Sequence, residues 1–348
     1  MESVILKFKF LLLVCACVMH AHAVFANENE PTFEEKIPQE LKEKRERFFT
    51  AIFENDLFAG QDANYTNGVL FTYYDTDFDV PRSVREFVDF SKFFHIDELT
   101  SVAYSLGHNL YTPKDITLKT PDPKDRPYAA FLYGTIGLST ISGDHINNLD
   151  LTLGLVGPSA LGEPIQEEVH SFVDTRDPAG WDHQLKDEPA LMLSYQRRWP
   201  EKYAGNIGPF YFRTAPYWGA TLGNVYTYGA LGSTFQLTPQ KYKWQAMPLR
   251  VKPSIPGTGY FNVPDHAFAW SAFAGFEGRA VARNLFLDGN SYQDSPSVSK
   301  KTYVGDVNVG LSLIFGRVRT SFTINWRSRE FDGGASATFG ALSVGYRL

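Results

Sequence analysis

Apolar and polar positions trade places with a period of two along most of this chain. From residue 47 onward the alternation falls in segments rich in aromatic and β-branched residues, separated by Gly, Pro, Asn and Asp. Period two marks strands, whose successive side chains point to opposite faces. The run from 303 onward shows it best. Val307, Val309, Leu311, Leu313 and Phe315 alternate with Asn308, Gly310 and Ser312. Val318, Thr320, Phe322, Ile324 and Trp326 then alternate with Arg319, Ser321, Thr323, Asn325 and Arg327, and Leu342, Val344, Tyr346 and Leu348 follow the same beat. The pattern predicts about twelve strands: 47–57, 67–76, 100–111, 127–141, 146–156, 187–199, 208–222, 226–237, 265–282, 303–315, 317–331 and 335–348.

Only two connections have helical spacing. RSVREFVDFSKFF (82–94) is one. EPIQEEVHSFVD (163–174) is the other, with Ile165, Val169 and Phe172 on one face, Gln166 and His170 on an adjoining one, and Pro164 suited to a first turn.

Two all-β architectures alternate in this way, a soluble sandwich and a transmembrane antiparallel β-barrel. Three features favour the barrel. Several strands reach the roughly 9–11 residues that cross a bilayer. Aromatic residues make up 15% of the chain and sit near strand ends, among them Tyr73, Tyr111, Trp199, Tyr217 and Trp326, as an interfacial girdle would place them. The chain also ends within a strand, as bacterial barrels commonly do. If the first strand rises from the periplasm, the connections 58–66, 112–126 and 157–186 share the outer rim. The connection 238–264 then falls on the inner side, where its length has no explanation in the pattern.

The first 26 residues differ in kind. Lys7 and Lys9 precede an apolar run from Phe10 to Met19 that is too short to span a bilayer, and Ala21, Ala23 and Ala26 offer cleavage sites. This predicts a secretory signal peptide (1–26), a charged leader (27–46) and a barrel domain (47–348). Both cysteines, Cys15 and Cys17, lie in the signal peptide, so the mature chain would hold no disulfide. Removing that segment takes away Glu2, Lys7 and Lys9 and moves the net charge from −6 to −7. A mildly acidic balance argues against a nucleic-acid partner. A monomer is expected.

Candidate chemistry concentrates in three places. ENDLFAGQDANYTNG (54–68) sets Glu54, Asn55 and Asp56 at the end of one strand and Thr66 and Asn67 at the start of the next. Strands disfavour acids and Asn, so a plain turn accounts for Asn64, Asn67 and Gly68 better than for the first three. Whether Glu54 faces an ion or the barrel interior is open at this stage. His170, four residues after Gln166 on a helix, could serve as a general base. His183 in GWDHQL is a weaker candidate, and the other histidines read as structural. Lys114, Lys119, Lys124 and Arg126 form a loop that could meet phosphate, although Asp115, Asp122 and Asp125 are interleaved. No G-x-S-x-G, H-E-x-x-H or phosphate-binding glycine loop is present. A hydrolase built from these residues would therefore activate water with His170. The oxygen ligands around Asp56 would suit a hard cation, with Ca²⁺ the natural choice outside the cytoplasm.

Four stretches together resemble the outer-membrane lipid A 3′-O-deacylase family: 54–68, LYTPKDITLKTPDPKDRPYAAFLY (110–133), LGLVGPSALGEPIQEEVH (153–170) and GWDHQL (180–185). The resemblance spans nearly the whole mature chain. It implies a twelve-stranded barrel in the outer membrane, with the active site at the outer rim between the wall and a loop helix. It also implies Ca²⁺-dependent hydrolysis of the 3′-linked acyloxyacyl chain of lipid A. By matching position it assigns catalytic roles to Asn55, Asp56, Thr66, Gln166 and His170. Asp56 would be a metal ligand, and Lys119 or Lys114 would contact substrate. An acid that follows the histidine in the family would fall at Arg176, so Asp174 or Asp177 would have to take its place. Two other functions fit the pattern less well, an outer-membrane phospholipase and a non-enzymatic channel or adhesin.

Overall fold

The computed structural model describes residues 46–56, 67–77, 80–82, 85, 86, 88, 94–97, 99–173, 177–239, 246–251, 253, 257–262 and 268–348. Its strands are β1 (Arg47–Asn55), β2 (Asn67–Asp75), β3 (Ser101–Tyr111), β4 (Ala129–Ser142), β5 (His145–Val156), β6 (Glu188–Arg198), β7 (Tyr203–Ile207), β8 (Phe210–Gly223), β9 (Tyr226–Pro239), β10 (Phe268–Asn284), β11 (Tyr303–Phe315), β12 (Val318–Arg327) and β13 (Ala337–Arg347). Two helices lie between them, α1 (Gly162–Val173) and α2 (Leu285–Asp288). All strand pairs are antiparallel. β1 pairs with β13 and β6 with β8, which closes the sheet. Among the described residues no helix is long and apolar enough to cross a membrane.

Thirteen strand segments make a twelve-stranded barrel because the sixth strand is broken. β6 and β7 both run antiparallel to β8, opposite Tyr217–Gly223 and Phe210–Thr214 respectively. Between them Trp199–Lys202 bulge away, held by Trp199 N–H to Pro216 O (3.0 Å) and Lys202 N–H to Thr214 O (3.1 Å). Pro200 lies in the bulge and can donate no ladder hydrogen bond, which explains why the alternation predicts one strand ending at 199 and no second piece.

The two faces of the wall are the reverse of a soluble sandwich. Leu106, Ile136, Leu153, Leu191, Leu222, Val309, Ile324 and Val344 are exposed, while Thr50, Thr72, Ser271, Asn308, Arg319, Ser321 and Arg327 are buried. Apolar outside and polar inside is the arrangement of a bilayer-spanning barrel.

The described part of the long inner connection, 246–251, 253 and 257–262, runs into the lumen. Arg319 on the wall donates to Tyr260 O (3.0 Å) and Thr258 O (2.9 Å), and Arg327 donates to Pro253 O (2.9 Å) while pairing with Asp306. Phe261 and Tyr260 pack edge-on against Phe48 at 5.1 and 5.2 Å. Of the predicted 82–94 helix only part lies within the described residues. Arg82, Arg85, Glu86 and Val88 are helical there, and Val88 and Phe94 pack on Val102 and Leu138 in the inner half. At the outer mouth α2 turns inward. Its Leu285, Phe286 and Leu287 are buried, and Phe286 stacks on Tyr111 at 4.1 Å. The lumen is plugged below and capped above.

Candidate active site

At the outer rim the exterior of the wall stops being exposed. On β1 and β2, Phe49 and Phe71 face outward and are each 43% exposed. Asn55 and Asn67 have the same parity on those strands, yet they are 7% and 8% exposed. They lie opposite each other in register, and the row continues from Asn67 to Leu110 on β3 and from Leu110 to Ala130 on β4. Leu110 and Ala130 are covered by Ala160, Trp181 and Tyr128, all residues of the outer connections. Part of the outer wall is thus roofed by the β5–β6 connection, with two carboxamides in the same row.

Local chemistry seats that roof. A short helical turn, Pro158–Ala160, leaves β5, and Gly157 N–H bonds back to Ala130 O at 3.1 Å. His108, pointing outward from β3, is bonded through Nε2 to Ala160 O at 2.7 Å, so it is an anchor, as its isolation in the sequence suggests. Gly162 opens α1 directly on the wall. A β-carbon there would lie 2.5 Å from Ala130 Cβ and 2.6 Å from the Trp181 ring, so only glycine allows the close approach. Glu163 in the first turn complements the helix dipole. Neighbouring Glu167 and Asp182, after partial burial, raise the Glu163 pKa.

Gln166 and His170 share the buried face of α1. Trp181 Nε1–H donates to Gln166 Oε1 at 2.8 Å. That contact fixes the amide, so its NH₂ points at His170 Nε2, 3.4 Å away. The imidazole nitrogen must then accept, which leaves its lone pair on Nε2 and the ring proton on Nδ1. Trp181 is the residue that sequence reasoning passed over. Its signal was the GWDHQL stretch, read there for His183, which is exposed and belongs to no part of this arrangement.

The remaining predicted residues fall as follows. Asp56, just past β1, is buried with Asn55. Glu54 faces the interior, where Arg250 Nε (2.8 Å) and Val251 N–H (3.2 Å) bond its carboxylate, so it is part of the plug. Thr66, Asp174 and Arg176 lie outside the described residues, as do the signal peptide and all but the last residue of the leader. Asp177 is exposed. Lys114 and Lys119 are exposed on the loop after β3, and that loop flanks the roof. Ala179 N–H and the Tyr128 hydroxyl both bond Ile116 O, at 2.8 and 3.1 Å. Burial pushes the Tyr128 phenol up to about 12, which keeps it a donor at neutral pH. Arg126 departs from the predicted basic loop. It is buried, pairs with Glu330 at 3.2 Å and lies over the Tyr111 and Phe331 rings, so it ties two outer connections together and is not a phosphate ligand.

One polar atom in this row is unsatisfied: the buried Asn67 Oδ1 has no hydrogen-bond partner. An orphaned oxygen beside a buried Asp and Asn is a donor set that a hard cation would complete. Among the described residues no three acidic, His or Cys side chains cluster as a metal site, so carboxamide or backbone oxygens would have to serve. A cavity of about 140 Å³ lies elsewhere, in the lumen between Thr72, Thr135, Asp150, Thr221 and Thr258, and none of Asn55, Asp56, Gln166 or His170 lines it.

Comparison with known proteins agrees with this architecture. LpxR from Salmonella typhimurium matches with a TM-score of 0.70 at 18% identity, covering 86% of this chain and 99% of that one. The β domain of the Bordetella autotransporter Brka (TM-score 0.43, 8% identity) covers 88% of this chain and 99% of its own. The translocator domain of NalP from Neisseria meningitidis (TM-score 0.32, 11% identity) covers 88% and 89%. No curated protein sequence matches. The model of the family described as outer membrane protein LpxR matches residues 11–348. The chain is an outer-membrane β-barrel and belongs to the LpxR family.

Proposed function

We propose that this protein is an outer-membrane esterase that releases the 3′-linked acyloxyacyl chain of lipid A. One observation carries the reading: the buried Trp181–Gln166–His170 relay sits in a roof over the exterior of the wall, at one rim of the barrel. The lumen, plugged and capped, argues against a channel.

The chemistry follows from the relay. Once the attacking water displaces the long 3.4 Å contact from the Gln166 amide, His170 Nε2 takes a proton from that water as its oxygen attacks the ester carbonyl, and the same nitrogen returns the proton to the departing sugar oxygen. Gln166, held by Trp181, keeps the ring in the tautomer that can do this. Asn55, Asp56 and the orphaned oxygen of Asn67 would hold Ca²⁺, which when bound supplies positive charge for the carbonyl oxygen as it turns anionic. Helix rise carries His170 about 12 Å from Gly162. Three strand spacings, the span from Ala130 on β4 to Asn55 on β1, come to about 14 Å. Thr66, by the family resemblance, would position the water. Lys119 or Lys114, beside the roof, would meet a lipid A phosphate.

Mass spectrometry of lipid A from cells with and without the protein tests the reading. A mass loss equal to the 3′ chains supports it. Free fatty acid from phospholipids would point to a phospholipase, and an unchanged profile would remove the enzymatic reading.

A further inference from the structure

Leu161 is the sole described non-glycine residue with a positive φ (φ 60, ψ 35). The left-handed region crowds a β-carbon, and Gly or Asn is the ordinary occupant. A leucine held there and left 53% exposed has no packing reason for its side chain. Strain of this kind at the lip of a site is a reason to look for a role.

Its neighbours supply one. Leu161 O accepts the Ile165 N–H at 3.3 Å, at the start of α1, and Ile165 is 38% exposed. Val169, one turn further, is half-buried. Positions 165 and 169 form one stripe and 162, 166 and 170 the stripe beside it, since consecutive residues are about 100° apart around a helix, and the exposed Leu161 stands just before the first stripe. The exposed apolar stripe thus runs along the Gly162–Gln166–His170 face for about 12 Å of helix rise. The wall beside the roof is apolar too: Leu132 packs against the cluster that holds Ala160, next to Leu161 in the chain, and the exposed Leu155 lies opposite Leu132 in register.

We infer that Leu161, Ile165 and Val169 form the surface along which one extended acyl chain of the lipid substrate lies, with its ester delivered to His170. This rests on the proposed deacylase reading and deepens it. The stripe sets how well a chain of given length is held, while His170 performs the chemistry.

The test compares wild type, Leu161→Gly, Ile165→Ser and Ile165→Leu in detergent micelles, on lipid A with long and with short 3′ chains. Leu161→Gly also relieves the left-handed backbone, so a loss of activity cannot be laid to a strained fold. Leu161→Gly and Ile165→Ser are expected to lower kcat/KM on the long-chain substrate about tenfold, the factor that goes with about two methylenes no longer buried. The loss should appear in KM, shrink to within about twofold on the short chain, and be recovered by Ile165→Leu. Equal losses on both substrates, or no loss, would overturn the inference. A second arm does not need turnover: Ile165→Trp emission is measured against lipid A with brominated acyl chains and against phospholipid brominated likewise. Quenching that saturates with lipid A alone supports the stripe even if wild type releases no chain, an outcome that would remove only the deacylase reading. Equal, unsaturated quenching by both lipids would make the stripe ordinary bilayer-facing surface.

Discussion

The Glu54 carboxylate accepts a hydrogen bond from Arg250 Nε at 2.8 Å, across 196 residues of chain. Glu54 immediately precedes Asn55 and Asp56, while Arg250 belongs to the inner connection that runs into the lumen. Arg250 also bonds the Asn325 side chain on β12. Removing one partner of a buried ion pair leaves a charge without compensation, which costs about 3–5 kcal/mol. Arg250→Ala is expected to lower the thermal unfolding temperature of the detergent-solubilised barrel sharply, and Glu54→Gln less so. Unfolding followed by heat-modified gel mobility measures both.

His170→Ala should leave a folded barrel with its heat-modified mobility intact and reduce 3′ chain release by about 10²–10⁴, the range for loss of a positioned acid–base group. Lipid A mass spectra with the variant in place of wild type read this directly. Near-wild-type release would remove His170 from the reaction.

Trp181→Phe keeps the aromatic packing against Tyr128 but strips the donor from Gln166 Oε1. A buried acceptor without a partner costs about 1–3 kcal/mol, and a freed amide can flip, so that its NH₂ no longer holds the lone pair on Nε2. The expected result is a lower kcat with little change in KM and a shifted pH–rate profile. An unchanged profile would show that Trp181 only packs.

Chelation should abolish activity, and added Ca²⁺ should both restore it and raise the unfolding temperature. Ligand at a hundred times its Kd adds about 2.7 kcal/mol. Asp56→Asn and Asn67→Ala are each expected to weaken this Ca²⁺-dependent stabilisation, read by calorimetry without substrate. Stabilisation of equal size in both variants would place the cation elsewhere.

Lengthening the side chain where α1 touches the wall offers an independent check on the roof. Gly162→Val would drive Cβ into Ala130 and Trp181, and a well-packed contact cannot absorb it without moving. Barrel stability should change little while activity falls strongly.

The strands were legible because a bilayer forces every wall residue to one of two solvents, and Thr50 against Phe49 or Asn308 against Val309 records that choice residue by residue. Gln166 and His170 were legible for the same reason, as a polar face on a helix whose other face is apolar. Arg126 was not, because its burial depends on Glu330, 204 residues away, and spacing within its own loop reads as solvated charge. The inner connection failed likewise. Arg250, Pro253 and Tyr260 carry no periodicity of their own and acquire meaning only from the wall groups Glu54, Arg327 and Arg319 that they satisfy.

The stoppered lumen has a consequence for how substrate is met. Among the described residues the inner connection and α2 occupy both ends of the lumen, and the Gln166–His170 pair lies outside the wall, so it opens sideways. A substrate then arrives by drifting in the plane of the outer leaflet, so the rate of encounter is set by surface density and lateral mobility of the lipid and not by its concentration in the surrounding water.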